Sequence, residues 1–257
     1  MKKSVLLLFI LLLSLTVSMA QYRKKKDDVK WLSISPKAGY GVSMLLNENI
    51  TADKNVAINW IYPSYMFGGR LGITFGDHWG VFGDVTKNKY GGEFTIAYPT
   101  ETYKKRIELN SMNFAFLVHF TGDKGGYFEI GPQMCNIQEV KITNDINETF
   151  VDAAPADFDN SYINFVIGTG LSVFRTDRLV LNVGLRGVYS FQDLMVNEKN
   201  FMLDGFYEYK IPGIRNNEYN EYKKTSPLTI QAMIEFTYFF AFWGNASCGR
   251  GRLMFFQ

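Results

Sequence analysis

The stretch Leu228-Thr229-Ile230-Gln231-Ala232-Met233-Ile234-Glu235-Phe236-Thr237-Tyr238-Phe239-Phe240 alternates in side-chain polarity over most of its length. Its even-numbered residues are apolar or aromatic, whereas its odd-numbered residues are mostly Thr, Gln and Glu. Successive side chains of a β-strand point to opposite faces, so a period of two predicts a strand with one apolar and one polar face. This segment is the last of a series that fills the chain.

Seven earlier segments show the same alternation. The clearest runs from residue 179 to 191, where every second side chain is apolar, aromatic or Gly and the intervening ones include Asn182, Arg186 and Ser190, with Gln192 next on the same face. The predicted strands, in order, are 32–44, 60–75, 79–98, 106–120, 127–142, 162–174, 179–191 and 228–242.

The connections between these segments differ in length. Short, turn-forming sequences follow the second, fourth and sixth strands, and longer polar stretches follow the others. This asymmetry is typical of a closed up-and-down antiparallel barrel in an outer membrane, with tight periplasmic turns, long extracellular loops and both termini in the periplasm. Each predicted strand meets or exceeds the ~9–11 residues that a tilted strand needs to cross a bilayer. Ten strands are the alternative if residues 201–211 form a further hairpin, although an extension of that hairpin above the membrane is the preferred interpretation.

The N-terminus has the features of a secretory leader. Two lysines precede an apolar run from Val5 to Leu15, and Ser18-Met19-Ala20 supplies small residues for cleavage before Gln21. The predicted organisation is a signal peptide over 1–20, a periplasmic lead over 21–31, an outer-membrane barrel over 32–242 and a periplasmic tail over 243–257. The leader and the strand pattern together predict the outer membrane of a Gram-negative cell, because a closed barrel satisfies every backbone polar group without helices.

Charge and composition exclude some functions. Cleavage after Ala20 would take Lys2 and Lys3 from the 27 basic residues and leave 25, equal to the 25 acidic residues. A neutral chain gives no electrostatic support for a nucleic-acid partner. An aromatic content of 16% suits strands with aromatic girdles. Composition alone would also fit a soluble β-sandwich.

Three segments together resemble a known family. They are Trp79-Gly80-Val81-Phe82-Gly83-Asp84-Val85 running into Lys89-Tyr90-Gly91-Gly92, then Met112-Asn113-Phe114-Ala115-Phe116-Leu117-Val118-His119-Phe120, then Tyr127-Phe128-Glu129-Ile130-Gly131-Pro132. They are similar to segments of the PorT-like outer-membrane β-barrels, over roughly residues 33–242. The resemblance implies a barrel of about eight strands, and its name-giving member is tied to type IX secretion, whereas most relatives have no assigned activity.

The polar strand faces are assigned to the barrel interior. At eight strands the lumen is filled by side chains and leaves no aqueous channel. Opposite charges there should neutralise one another, because an unpaired buried charge costs several kcal/mol. A small-solute or proton path through this core is the alternative. The predicted interior polar residues are Lys37, Arg70, Asp84, Glu129, Gln133, Arg186, Gln231 and Glu235.

The last strand does not end the chain. An aromatic commonly closes such barrels and is read by the barrel-assembly machinery, but this chain continues beyond Phe242. The tail is interpreted either as a short cap over the periplasmic mouth or as a docking peptide for an envelope protein. The candidate docking residues are Trp243, Arg250, Arg252, Phe255 and Phe256.

No arrangement of residues indicates catalysis, a cofactor or a metal. His78 and His119 both lie at the predicted periplasmic end, away from the extracellular rim where barrel phospholipases and omptin-type proteases place their catalytic groups. Cys135 and Cys248 lack metal-ligand spacing and are predicted to be unpaired. The acidic loop after the fifth strand and the Tyr-rich loop after the seventh are candidate recognition surfaces.

The sequence therefore predicts a monomeric, noncatalytic outer-membrane barrel. Its expected partners are membrane lipid, the barrel-assembly machinery during biogenesis and an envelope protein of a larger, secretion-related assembly. The alternative function is a narrow small-solute channel.

Overall fold

The structure, a computed structural model, describes residues 29–52, 56–75, 78–97, 102–144, 150–152, 158–176, 178–195, 223–245 and 251–255. The predicted signal peptide, the 201–211 segment, and Arg250, Phe256 and Cys248 lie outside the described residues. Within them, no helix has the length and apolar character needed to cross a bilayer.

The described elements are almost all strands. In chain order they are β1 (Val29–Leu46), α1 (Glu48–Ala52), β2 (Val56–Asn59), β3 (Tyr62–Phe75), β4 (Trp79–Ala97), β5 (Thr102–Thr121), β6 (Gly126–Asn144), β7 (Phe150–Asp152), β8 (Ser161–Arg175), β9 (Leu179–Ser190), β10 (Ser226–Asn245) and β11 (Gly251–Phe255).

Eight long strands form one closed antiparallel sheet. Each pairs with the next long strand along the chain, and β1 pairs with β10 to complete the ring. This last ladder runs from Val29↔Trp243 to Leu46↔Ser226, so closure involves almost the whole of both strands. A closed ring leaves no edge along the wall open to a further strand. The predicted all-β up-and-down barrel is confirmed.

The two ends of the barrel differ as the sequence predicts, with one exception. Short connections at 76–78, 122–125 and 176–178 define a short-turn end, where Gly125 adopts a φ of 83° that favours glycine. We call the other end the long-loop end. The prediction of a long connection there between the third and fourth strands is wrong. Strands β4 and β5 remain paired as far as Ala97↔Thr102, so only residues 98–101 join them.

Three short strands extend the ring at its ends. At the long-loop end β2 pairs with β4 from Val56↔Ile96, and β7 pairs with β6. At the short-turn end β11 pairs with β10 from Ala241↔Phe255 to Asn245↔Gly251. Because β1 also reaches Trp243, β11 must lie on the opposite edge of β10, in line with β9.

The outer wall carries an apolar belt around the short-turn half of the barrel. Its members are exposed, lie on all eight long strands and alternate with buried residues. They include Ile34, Phe67, Leu71, Ile73, Val85, Phe114, Phe116, Val118, Phe128, Met134, Ile163, Phe165, Ile167, Val183, Leu185, Ile230, Ile234 and Phe236. Exposed apolar area of this extent is expected where lipid, not water, surrounds a protein.

The polarity of both faces reverses in the long-loop half. Strands β4, β5 and β6 have 19, 20 and 19 residues, about twice the ~9–11 needed to cross a bilayer. Beyond the belt their outward side chains become charged, as at Lys89, Glu93 and Arg106, whereas inward ones such as Phe94 and Ile107 are apolar and fully buried. The barrel is therefore polar inside and apolar outside at the level of the belt, and the reverse above it.

Candidate functional site

Six ionisable residues meet inside the belt. Each occupies an inward position on a different strand, and the strand register sets several of them side by side: Lys37 faces Glu235 across β1 and β10, and Arg70 faces Asp84 across β3 and β4. We call this group the charge cluster. It comprises Lys37, Arg70, Asp84, Glu129, Arg186 and Glu235.

Arg70 is the hub of the charge cluster. Its Nε and Nη2 donate to the two carboxylate oxygens of Asp84 at 2.6 and 3.0 Å. Nη2 also donates to Glu129 at 2.6 Å, and Nη1 lies 3.0 Å from Glu235 Oε2. One guanidinium thus contacts all three carboxylates, which suits the planar, five-donor geometry of Arg.

Two further cations complete the cluster. Lys37 Nζ donates to Asp84 Oδ2 at 2.7 Å, and Arg186 Nη2 donates to the same oxygen at 2.7 Å and to Glu129 Oε1 at 2.5 Å. Three cations and three carboxylates give a formal charge of zero. All six side chains are at most 5% exposed, so the network fills the lumen at this level.

Gly168 makes room for the cluster. It lies between Glu129 and Arg186 in the ladders of β6, β8 and β9. A Cβ atom at Gly168 would lie 2.7 Å from Cγ and 2.8 Å from Oε1 of Glu129. The absence of a side chain at Gly168 allows the Glu129 carboxylate to reach both arginines.

An amide-rich layer lies between the cluster and the long-loop end. Gln231 donates through Nε2 to Ser64 Oγ at 2.8 Å, and Asn164 donates through Nδ2 to Gln133 Oε1 at 3.4 Å. A cavity of about 20 Å³ lies among these side chains, which is room for about one water molecule. The eight predicted interior residues are all buried, but they divide into two levels: Gln133 and Gln231 are in this layer and the six ionisable ones are in the charge cluster.

An apolar cap closes the long-loop end. Its buried members come from the end of β1, from α1, from the upper parts of β4, β5, β6 and β8, and from the connections before β8 and after β9. They are Leu45, Ile50, Tyr90, Phe94, Ile107, Leu109, Cys135, Ile137, Val140, Phe158, Tyr162, Leu194 and Met195.

Hydrogen bonds fasten the loop ends over the cap. Asn47 Nδ2 donates to the carbonyl of Lys223 at 2.8 Å and to Thr225 Oγ1 at 3.0 Å. The Leu194 N–H donates to the carbonyl of Thr225 at 2.9 Å, and the Asp159 N–H donates to the carbonyl of Leu194 at 2.9 Å. Residues from three separate connections, after β1, before β8 and between β9 and β10, are thereby held together across the mouth.

His119 is not among the interior residues predicted from the sequence, and neither is the apolar cap. His119 lies inward, with Nδ1 3.8 Å from Glu129 Oε2 and its ring stacked on Tyr127. The alternation in β5 carries the signal for this placement, since the even-numbered residues from 114 to 120 face outward and the odd-numbered ones between them face inward. The cap has a weaker signal, because Phe158 and Leu194 come from irregular connections without any period.

The tail residues are described only in part. Trp243 lies in β10, and Arg252 and Phe255 lie in β11, opposite Gly244 and Ala241. The described part of the tail is therefore a strand that pairs back on β10 at the short-turn end. Its function as a cap or a docking peptide stays a prediction.

The remaining candidate groups have structural partners. His78 Nδ1 donates to the Thr121 carbonyl at 2.9 Å, and Cys135 is a buried free thiol beside the Tyr90 hydroxyl at 3.3 Å. In the acidic loop after β6, Asp159 accepts a hydrogen bond from the Ser161 N–H at 3.2 Å. In the described ranges, no group of three or more His, Cys, Asp or Glu side chains is placed to hold a metal ion.

One protein family matches more than half of the chain. A model of the outer membrane protein beta-barrel domain matches residues 19–196. The chain belongs to this family. The match covers β1 to β9, and β10 closes the ring beyond it. The protein is accordingly a β-barrel of the cell outer membrane, and the long-loop end is expected to face the cell exterior.

Solved structures give distant likenesses. The outer membrane protein OprG from Pseudomonas aeruginosa is 9% identical, covering 84% of this chain and 98% of that one, with a TM-score of 0.43. Neisserial surface protein A is 10% identical, with 81% and 97% covered and a TM-score of 0.42. Ail of Yersinia pestis, in complex with the heparin analogue sucrose octasulfate, is 13% identical, with 81% and 99% covered and a TM-score of 0.37. No curated protein matches this chain.

Proposed function

We propose that the protein is a non-conducting, noncatalytic outer-membrane barrel that acts as an envelope component or as an accessory of a membrane assembly. The observation that carries the proposal is the double closure of the interior. The charge cluster fills the lumen within the belt, and the apolar cap with its fastened loop ends lies across the mouth. A solute would have to break both, and separating buried ion pairs costs several kcal/mol.

The outer surface above the belt supports a role in recognition. The extended parts of β4, β5 and β6 have a buried apolar core and a charged outer face, as a soluble domain has. Such a platform holds the connecting loops at a fixed height above the lipid, and loops on a rigid scaffold are where binding residues concentrate. The resemblance to PorT-like barrels supports a secretion-related assembly as the partner in this proposal.

Conductance of the refolded protein in a planar bilayer tests the closed interior. Wild-type protein, shown to be folded by heat-modifiable mobility on gels, should give no reproducible conducting steps. The Arg186→Met variant, shown to be folded in the same way, should be equally silent, because the apolar cap lies across the mouth independently of the charge cluster. Wild-type steps that disappear or change in size in Arg186→Met would contradict the proposal and would support the small-solute channel.

The accessory role has a separate test. Detergent-solubilised envelopes would be used for pull-down with the full chain and with a chain that ends at residue 245, which keeps β10 whole and removes β11. Loss of an envelope protein on truncation would assign docking to the tail. An unchanged set of partners would show that the tail is not the docking site and would leave the extracellular surface as the candidate. An absence of partners for both chains would contradict the accessory role.

A further inference from the structure

A groove on the outer wall lies at the level where the belt ends. It has a volume of about 260 Å³ and crosses the outward faces of β3 to β6. Tyr65 and Phe67 line its apolar side, and the polar side includes Lys87, Asn110, Gln138 and Glu139, whose carboxylate lies 3.9 Å from Lys141 Nζ. It therefore spans the boundary that lipid headgroups occupy next to a membrane protein.

Lys87 marks this boundary within β4. The next outward residue toward the short-turn end is Val85, which belongs to the belt, and the next in the other direction is the ion-paired Lys89. The register sets Lys87 beside Phe67 of β3 and Met112 of β5. Lys87 thus lies at the same level of the wall as Phe67, the last belt residue on its neighbouring strand.

The other outward cations of this wall have carboxylate partners. Lys89 pairs with Glu108 at 2.5 Å, and both Arg106 and Lys104 pair with Glu93, at 2.5 and 3.9 Å. Lys141 lies 3.9 Å from Glu139, which also accepts from Asn110. Lys87 is exposed and, among the described residues, has no carboxylate within 4.0 Å.

We propose that the groove binds the phosphate of an anionic lipid of the outer leaflet, with Lys87 as its counter-ion and with acyl chains along Phe67 and Val85. The charge argument is specific to this position, because Lys87 is the outward cation of this wall that has no carboxylate partner among the described residues, and the three paired carboxylates do not balance the other four cations. The Gln138 side chain, exposed at the same groove, adds amide donors for headgroup oxygens. A lipid satisfies both sides of the groove at once, whereas a free anion would satisfy only the polar side.

The test is lipid retention by the full-length protein. Native mass spectrometry after extraction from bilayers of equal phosphatidylglycerol and phosphatidylcholine would count bound lipids. Wild type should retain phosphatidylglycerol preferentially, and Lys87→Ala should reduce the preference about fivefold, the factor that one basic side chain contributes at an anionic surface. Lys87→Arg should keep the preference.

Lys104→Ala is the matched control, since it removes an outward lysine of the same wall that lies outside the groove and has a partner. An equal loss in Lys104→Ala, or an unchanged preference in Lys87→Ala, would overturn the proposal. Displacement of the lipid by inorganic phosphate at equal concentration would also overturn it, because the site would then recognise the anion alone. Heat-modifiable mobility of each variant shows that it is folded, so a null result is not due to unfolding.

Discussion

At the scale of single residues, the charge cluster is the most demanding part of the molecule. Six ionisable side chains are withdrawn from water, and the desolvation is offset only because each carboxylate has two or more cationic neighbours. Removing one partner is then more costly than removing a surface pair, since it leaves a buried charge without compensation.

Arg186→Met should therefore destabilise the barrel strongly. Methionine fills a similar volume but leaves Glu129 and Asp84 with fewer donors, and the expected loss is about 3–5 kcal/mol in the free energy of unfolding. Urea unfolding in lipid vesicles, followed by Trp fluorescence, measures it. Lys124→Met, an exposed turn residue, is the control and should change stability by less than about 0.5 kcal/mol. Equal midpoints for the two variants would contradict the importance of the cluster.

At the scale of elements, the wall could be predicted from the sequence and the cap could not. The period of two places Lys37, Asp84 and Arg186 inward because it depends only on strand geometry. The same alternation places Leu109 and Ile107 inward, but both are apolar, whereas a polar interior is expected of a membrane barrel. The face reversal becomes clear only when residues from connections without a period, such as those at 158 and 194, are seen to pack on them.

The cap makes Cys135 a reporter of its closure. The thiol is fully buried among cap residues, so it should resist labelling by a maleimide in a Cys248→Ser background that has no other thiol. Leu194→Ala removes a fully buried side chain and should weaken closure by about 2–5 kcal/mol. Labelling through the open state should then be faster by tenfold or more, at about tenfold per 1.4 kcal/mol. Phe114→Ala, on the lipid-facing belt, should leave the labelling rate unchanged, and equal rates in all three would show that the cap does not seal.

The extended hairpin of β4 and β5 should respond to acid through Glu93. Its hydrogen bond from Arg106 holds the pKa of the Glu93 carboxyl below its usual value. A lowered folded pKa stabilises the fold above the unfolded pKa, and this stabilisation is lost as the pH falls through the folded pKa. Wild type should therefore have a larger free energy of unfolding than Glu93→Gln at neutral pH, by less than about 1 kcal/mol for a surface pair. The difference should shrink as the pH falls below the ordinary range of a glutamate pKa and vanish once the pH is below the folded pKa of Glu93. A difference that persists in acid would contradict this role for the carboxylate.

At the scale of the whole molecule, closure between β1 and β10 joins the two ends of the barrel sequence. These strands lie farthest apart along the chain, so their ladder is the contact with the highest loop-closure cost, and every other pairing of long strands is between neighbours. Stability against opening should accordingly depend on the fit at this ladder more than on any hairpin of the wall.

Gly41 is a position where that fit is tight. A Cβ atom there would lie 2.0 Å from the carbonyl oxygen of Ile230 and 2.6 Å from Cα of Gln231, so Gly41→Ala must move backbone at the closing ladder. We expect it to lower the temperature at which the barrel loses its fast, heat-modifiable mobility on SDS gels. Gly83→Ala adds the same atom to β4 with nothing within 4 Å and is the control. Equal transition temperatures for Gly41→Ala and Gly83→Ala would mean that the β1–β10 ladder yields without cost, and that opening begins elsewhere in the ring.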